Sequence, residues 1–443
     1  MNESPHLRSE RNPTYEILLG VAVLGILLLN IKTFGLTAAS LNQLIVNPHG
    51  GNYWLLTITN ALFGNKFLAL LCMLFGASIV SFFAKTKAIN GISVPDLFIR
   101  RQLWLLLIGI FTAIVMLWEF DILFHLGMIG VFLFPLQRLS VRNLLIGALL
   151  MGLIYSGKAY WSFSESKTKY EKFQQVTALE KKNKKVKLTD EQKDDKSAWE
   201  GMVKQSKYDK KADQKEIKAI RSDYTDVWSH LLGQAQWKEA KWTYQTGLWD
   251  IASLMLLGMA LFKLGFFSNA LNTKEYAIMA LGGLIIGQAI AWYSLSSYEL
   301  KIVDLTKYVS GSIIPTYDFL LPFERAFTAI GLAGLVMLLY RSGTMAWLWK
   351  ALGAVGRLAL SNYLLQAIIC TLVFYGYGMS FFGELTFYQL YFILIEIWII
   401  QIVFSIVWLK FFQYGPAEWL WRSLVLWQRQ PMQQSESVES INA

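Results

Sequence analysis

Asp121 and His125 stand four apart in Glu119-Phe120-Asp121-Ile122-Leu123-Phe124-His125, where an apolar run begins. Four residues of helix bring two side chains onto one face. A carboxylate beside an imidazole is a general-base pair: the acid orients the ring and the ring takes a proton. The competing reading is structural, with Asp121 near a helix N-terminus, where negative charge is stabilised. Asn362 and Gln366 repeat the spacing in Gly356-Arg357-Leu358-Ala359-Leu360-Ser361-Asn362-Tyr363-Leu364-Leu365-Gln366. Amides there either bond helix to helix or line a cavity. Arg357 either snorkels or grips a phosphate as a planar fork. Glu396, Glu324 and Arg325 also fall inside apolar runs. An ionisable group at membrane depth is costly and therefore a functional candidate. Glu418 and Arg422 read as an exposed helix pair.

The elements that must hold these residues are membrane helices. The 443-residue chain is 54% hydrophobic and only 16% charged. A soluble domain carries about 25% charge. A run of about 20 apolar residues crosses the hydrocarbon core as a helix. Ten such runs are read: Ile17–Leu36, Lys66–Ala84, Leu103–Trp118, Ile122–Pro135, Leu144–Trp161, Leu248–Phe267, Tyr276–Leu295, Phe319–Tyr340, Leu358–Tyr377 and Tyr388–Phe411. The fourth is short enough to be broken or tilted. The first is too long for the 7–15-residue core of a cleaved signal and is read as a span. The fold class is thus all-α, a polytopic transmembrane bundle of about ten helices.

Loop charge gives an orientation. With the N-terminus in the cytoplasm, Arg8, Arg11, Lys85, Lys87, Arg100, Arg101, Arg138, Arg142, Lys274, Arg341, Lys350, Arg357, Lys410, Arg422 and Arg429 lie inside, against Lys32, Lys66, Lys301 and Lys307 in short outer segments. That is the positive-inside bias, and it places both termini in the cytoplasm. The net charge of +10 is explained by it, so no nucleic-acid partner is expected. Membrane lipids are the expected surroundings; the oligomeric state is not legible.

Between Ser164 and Gln245 stand nineteen of the 41 Lys and Arg and fourteen of the 31 Asp and Glu. This stretch is predicted to be external, because long segments cross regardless of charge. It lacks the apolar residues for a core of its own and reads as a helical or disordered excursion. Lys181-Lys182-Asn183-Lys184-Lys185 is a solvated charge run. Trp228, Leu231 and Leu232 have the spacing of an amphipathic helix lying on the outer membrane surface. The organisation is then a cytoplasmic tail (1–15), five spans (16–163), the charged external segment (164–245), five further spans (246–426) and a polar tail (427–443). Cys72 and Cys370 lie in apolar runs, so neither a disulfide framework nor a metal site is expected. No P-loop, dinucleotide fingerprint, zincin motif or nucleophile elbow is present.

Gly356–Gln366, Phe374-Tyr375-Gly376 and Tyr414-Gly415-Pro416-Ala417-Glu418-Trp419-Leu420-Trp421-Arg422-Ser423-Leu424 resemble the YeiB-like membrane proteins, which carry domain of unknown function 418. Leu256–Phe267 looks like the opening of that domain, and the resemblance covers roughly 224–426. Gly25–Ile31, Leu74-Phe75-Gly76, Arg100-Arg101 and Asp121-Ile122-Leu123 are similar to the family's earlier helices. Relatives tend to open with an Asp and a following Arg before the first helix, where Glu16 and Leu19 stand nearby in this chain, and often carry a His in the third helix, where this chain has Thr112. The resemblance implies kinship with transmembrane acyltransferases. On that implication Asp121 and His125 deprotonate an envelope sugar or lipid, while Asn30 and Asn362 stabilise the oxyanion. Arg100, Arg101 and Arg357 hold the phosphates of an acyl-coenzyme A donor. Gln366 and Glu396 complete the candidate binding residues, and no permanently bound cofactor is expected. Two alternatives stand beside this one: a transporter or flippase using Glu396, Glu324 and Arg325, and a non-catalytic partner docking through the external segment.

Overall fold

The computed structural model describes residues 12–64, 66–89, 91–183 and 187–433. His6, Arg8 and Arg11, Lys184 and Lys185, and the end of the C-terminal tail lie outside the described residues. Helices α1 (Pro13–Gly35), α2 (Ala38–Val46), α3 (Gly50–Phe63), α4 (Lys66–Lys85), α5 (Val94–Ile114), α6 (Leu123–Leu133) and α7 (Val141–Lys182) form the first half. Next come α8 (Asp190–Ser206), α9 (Lys210–Ile220), α10 (Tyr224–Trp237) and, after a π-helical stretch Lys238–Gly247, α11 (Leu248–Lys263). The remainder are α12 (Thr273–Val303), α13 (Leu305–Gly311), α14 (Thr316–Arg341), α15 (Ala346–Arg357), α16 (Ala359–Phe374), α17 (Phe387–Phe411) and α18 (Pro416–Leu426).

Among the described residues, eight helical stretches are long and apolar enough to cross a membrane, nine if α15 and α16, bent by 82° at Leu358, count as one. The tenth expected span is α6, which with its 3-10 continuation is a shorter apolar helix, Leu123–Arg138. Local sequence sets the starts. Asn12 accepts a hydrogen bond from the Tyr15 N–H ahead of α1, and Pro13 opens the helix, where its missing N–H costs nothing. Ser93 and Ser140 cap α5 and α7 in the same manner. An Asn272/Glu275 capping box starts α12.

Helices of a membrane bundle approach closely where small residues meet. A Cβ on Gly76 of α4 would run into the Met255 carbonyl of α11, and one on Gly258 of α11 into the Met73 carbonyl of α4. The pair therefore packs backbone to backbone, and α1 meets α15 in the same way through Gly20 and Gly356.

The charged segment, 164–245, departs from expectation. Helix α7 runs unbroken for 42 residues, about 63 Å, twice the hydrocarbon thickness of about 30 Å. Its polar C-terminal part packs against α8 around a small core of Phe163, Trp199, Tyr308 and Val309. Trp199 is the residue that makes this possible, being 2% exposed though it stands in a polar stretch of sequence. The segment does have a core, borrowed partly from α13. Helix α9 then folds back: Asp213 accepts hydrogen bonds from Thr37, Ser40 and Tyr208, and Arg221 pairs with Glu384. Burial, followed by the nearby Asp213 charge, holds the Glu216 carboxyl above the usual carboxylate range.

The expected surface helix at Trp228 is also corrected. Val227, Leu231 and Ala235 are the buried positions of α10, and Trp228 is exposed. The helix continues through the π stretch into α11, so its apolar face packs on protein.

Candidate functional site

Gly109 of α5 clears the space for the turn before α6: a Cβ there would meet the Phe124 nitrogen and, at 2.8 Å, Asp121 Oδ2. Asp121 thus precedes the helix. Its Oδ2 accepts from the Phe124 N–H at 3.1 Å, and its Oδ1 accepts from the Tyr363 hydroxyl of α16 at 3.0 Å. Tyr363 Oη in turn accepts from the Ile122 N–H at 3.1 Å. The expected shared face of Asp121 and His125 is therefore not formed, because the helix starts two residues too late. Each residue instead bonds across to a different element.

His125 is fully buried and sits 2.7 Å from Thr243 Oγ1. The Thr243 hydroxyl donates its single proton to the Lys238 carbonyl at 2.8 Å. Nε2 of His125 must then be the donor to Thr243, leaving Nδ1 with the lone pair in the neutral ring. Nδ1 makes no hydrogen bond of regular geometry among the described residues, and the ring's other polar neighbours are the Lys238 and Asp121 backbone groups. The π-helical stretch is what brings Thr243 here; such insertions re-aim side chains and recur at functional sites. It also sets Trp242 edge-on to the imidazole at 5.2 Å. Lys238 donates to the Asp121 carbonyl at 3.2 Å and lies over the Phe120 ring at 5.0 Å.

One large cavity, about 1060 Å³, opens at the end of the bundle where α1 begins. Its wall on α4 is the stripe Leu71, Phe75, Ser78, Phe82 and Lys85, spaced four and three apart along one helix face. On α1 it is Asn12, Tyr15, Glu16, Leu19 and Val23. Lys85, Arg101, Arg357 and Arg422 line it, and Leu105, Leu123, Leu126 and Tyr363 form deeper walls. Arg101 is gripped by aromatic faces, 5.0 Å from the Trp421 ring and 5.4 Å from Phe82, with Ser78 Oγ at 3.4 Å. A guanidinium held by its faces keeps its edge donors for an anion. Arg422 lies 4.4 Å over the Tyr414 ring.

The remaining candidates are placed as follows. Arg101 and Arg357 line the cavity, whereas Arg100 and Asn30 do not. Asn362 donates to the Val355 carbonyl and Ser405 Oγ, and Gln366 donates to the Val23 carbonyl and Gln401 Oε1. Gln401 donates to the Asn362 carbonyl. These amides join α16 to α1 and α17, so Asn362 has its donors committed and is no free oxyanion donor. Glu396 is exposed on the outer face of α17, away from the other candidates. Glu324 is buried 3.8 Å from Lys66, and Arg325 pairs with buried Asp250. Glu418 is not an exposed partner of Arg422. Its carboxylate accepts from the Leu360 and Ser361 N–H groups and from the Ser361 hydroxyl, capping α16. Burial lifts its carboxyl above the usual range, against the hydrogen bonds that pull it down. Glu16 and Leu19, two departures from the family pattern, both line the cavity. Thr112 is buried and bonds to the Ile108 carbonyl.

Tyr363, Thr243 and Lys238 were missed by sequence reasoning. Tyr363 sits inside the motif that also holds Asn362, but nothing local marks its partner 242 residues away. Among the described residues no cluster of His, Cys, Asp or Glu could hold a metal ion.

The fold and its apolar helices define a multi-pass, all-helical membrane protein with a basic-mouthed cavity at one end. Residues 261–428 match the family described as Protein of unknown function (DUF418). The chain is 29% identical over 445 residues to Uncharacterized protein YeiB of Escherichia coli (strain K12), covering 94% of this chain and 97% of that protein. It is 25% identical over 442 residues to Uncharacterized protein YxaH of Bacillus subtilis (strain 168), covering 98% and 99%. Residues 261–428 thus carry the match to DUF418, and the chain is similar to these two proteins over nearly its whole length. No solved structure matches it.

Proposed function

We propose that this protein is a transmembrane acyltransferase of the bacterial plasma membrane, with both termini cytoplasmic and the cavity mouth facing the cytoplasm. The orientation rests on the positive-inside distribution of Lys and Arg. The observation that carries the activity is the cavity itself: it leads from a rim of Lys85, Arg101, Arg357 and Arg422 to Tyr363, whose hydroxyl holds Asp121. A coenzyme A thioester has matching parts, anionic phosphates for the rim and an apolar acyl end for the leucine-lined depth.

In the reaction, the hydroxyl of an envelope sugar or lipid loses its proton to His125 Nδ1. Its oxygen attacks the thioester carbonyl carbon. The carbon–sulfur bond then breaks, and the thiolate leaves with the proton from His125. Asp121 holds Tyr363 in position. The acceptor reaches His125 from the external side once the Trp242–Lys238 stretch moves aside. The transporter alternative loses its central residue, because Glu396 faces outward and Glu324 and Arg325 are in ion pairs.

The test is thermal unfolding of the protein in lipid nanodiscs with acyl-coenzyme A thioesters, beside transfer of a labelled acyl group in native-membrane vesicles. A ligand at a hundredfold excess over its Kd adds about 2.7 kcal/mol of stability. Stabilisation together with label transfer that is lost in His125→Ala supports the reading. No stabilisation by any thioester and no transfer sinks it.

A further inference from the structure

From the depth of the cavity we infer that the donor's acyl group is short, no more than about six carbons when a chain bond advances about a third of the 3.3–3.6 Å of an extended residue, and that Leu71 and Leu123 set the limit. The inference rests on the reading of the cavity as a thioester site. The lining stripe on α4 runs from Lys85 to Leu71, fourteen residues, or about 21 Å at the helical rise. The pantetheine arm of coenzyme A has a dozen bonds between its phosphate ester oxygen and its sulfur. Extended at the advance of a polypeptide, it spans about 14 Å. With the phosphate at the Lys85 level, about 7 Å of cavity remains beyond the sulfur on that same scale.

Nothing longer fits because the deep end is closed. Leu71, Leu123 and Tyr363 line it. Behind Tyr363 lies Trp118, ring to ring at 4.5 Å, and behind Trp118 lies Phe34 at 5.4 Å. Trp118 and Phe34 are each 1% exposed. Closely packed interiors do not yield a chain-width channel without displacing side chains. The leucines are a cleaner gauge than the aromatics, since neither carries a polar atom that the chemistry uses.

The experiment compares acetyl-, hexanoyl- and decanoyl-coenzyme A, below their micelle concentrations, on wild type, Leu71→Phe and Leu71→Ala/Leu123→Ala in nanodiscs. Binding is read from thermal shift, and transfer from the labelled acyl group. In wild type, acetyl and hexanoyl donors bind and transfer, and decanoyl binds at least tenfold more weakly. Leu71→Phe keeps acetyl and loses hexanoyl by at least tenfold; the double alanine variant gains decanoyl. Should a variant fail to fold, the wild-type series alone decides. Decanoyl binding and transferring as well as acetyl in wild type overturns the length gauge and leaves the donor reading standing. A wild type that no thioester stabilises, free coenzyme A included, overturns both.

Discussion

Tyr363 of α16 donates a 3.0 Å hydrogen bond to Asp121, 242 residues earlier in the chain, while accepting one from the Ile122 N–H. The bond ties the cavity wall to the turn that starts α6. It makes Tyr363 the residue through which the cavity and the buried acid communicate. Tyr363→Phe removes the hydroxyl and leaves the Ile122 N–H unpaired. The expected result is a loss of acyl transfer, because the cavity wall is no longer tied to the turn that carries Asp121. The stability cost is only about 1–3 kcal/mol. Label transfer and thermal unfolding on the same preparation separate the two.

Asp250 and Arg325 are buried against each other between α11 and α14. Removing one partner leaves a charge with nothing to answer it, so Asp250→Leu alone should cost about 3–5 kcal/mol. The double variant Asp250→Leu/Arg325→Leu should recover most of that, measured as thermal stability in nanodiscs. Recovery would mark the pair as structural, and equal loss in both would mean that the ions do more than cancel.

The α4–α11 contact should be intolerant of volume. Gly258→Val places two methyl groups where the Met73 carbonyl already stands, and no side-chain rotation relieves a backbone clash. Failure to accumulate as a monodisperse species in detergent is expected, whereas Gly282→Ala, where a Cβ meets open space, should behave as wild type.

A fourth prediction concerns pH. Burial raises the Glu418 carboxyl, so the folded state binds that proton more tightly than the unfolded chain. Glu418 therefore stabilises most below the ordinary carboxylate value, about 4.3, and that contribution is lost as pH rises through the raised folded value. Glu418→Gln should flatten the fall of melting temperature from acid towards neutral pH. An unchanged slope would mean that other groups produce it.

Glu396→Leu should leave both stability and any thioester binding intact, because the side chain has no hydrogen bond or ion pair among the described residues and faces outward on α17. Gln401→Leu, one turn further along, should destabilise by about 1–3 kcal/mol. It removes the acceptor for Gln366 and the donor to Asn362.

Composition and hydropathy runs by themselves determined that this is a polytopic helical membrane protein, where its spans lie and which end of each loop carries positive charge. These are properties of single segments against a bilayer, and each segment reports them alone. Sequence also marked Asp121, His125, Arg101 and Arg357 as unusual, since a polar group in an apolar run is costly wherever it points. Only the tertiary structure decided which way each points. Spacing put Glu396 at membrane depth but not on which side of α17. It put Asn362 and Gln366 on one face, but not against Ser405 and Gln401. It joined Asp121 to His125 through a helix that starts only at Leu123. A side chain's partner is set by helices that meet across hundreds of residues, and local periodicity carries no information about that meeting. Trp199 and the small core it makes with α13 show the same limit. A few apolar residues in a charged stretch look insufficient until another segment supplies the remainder.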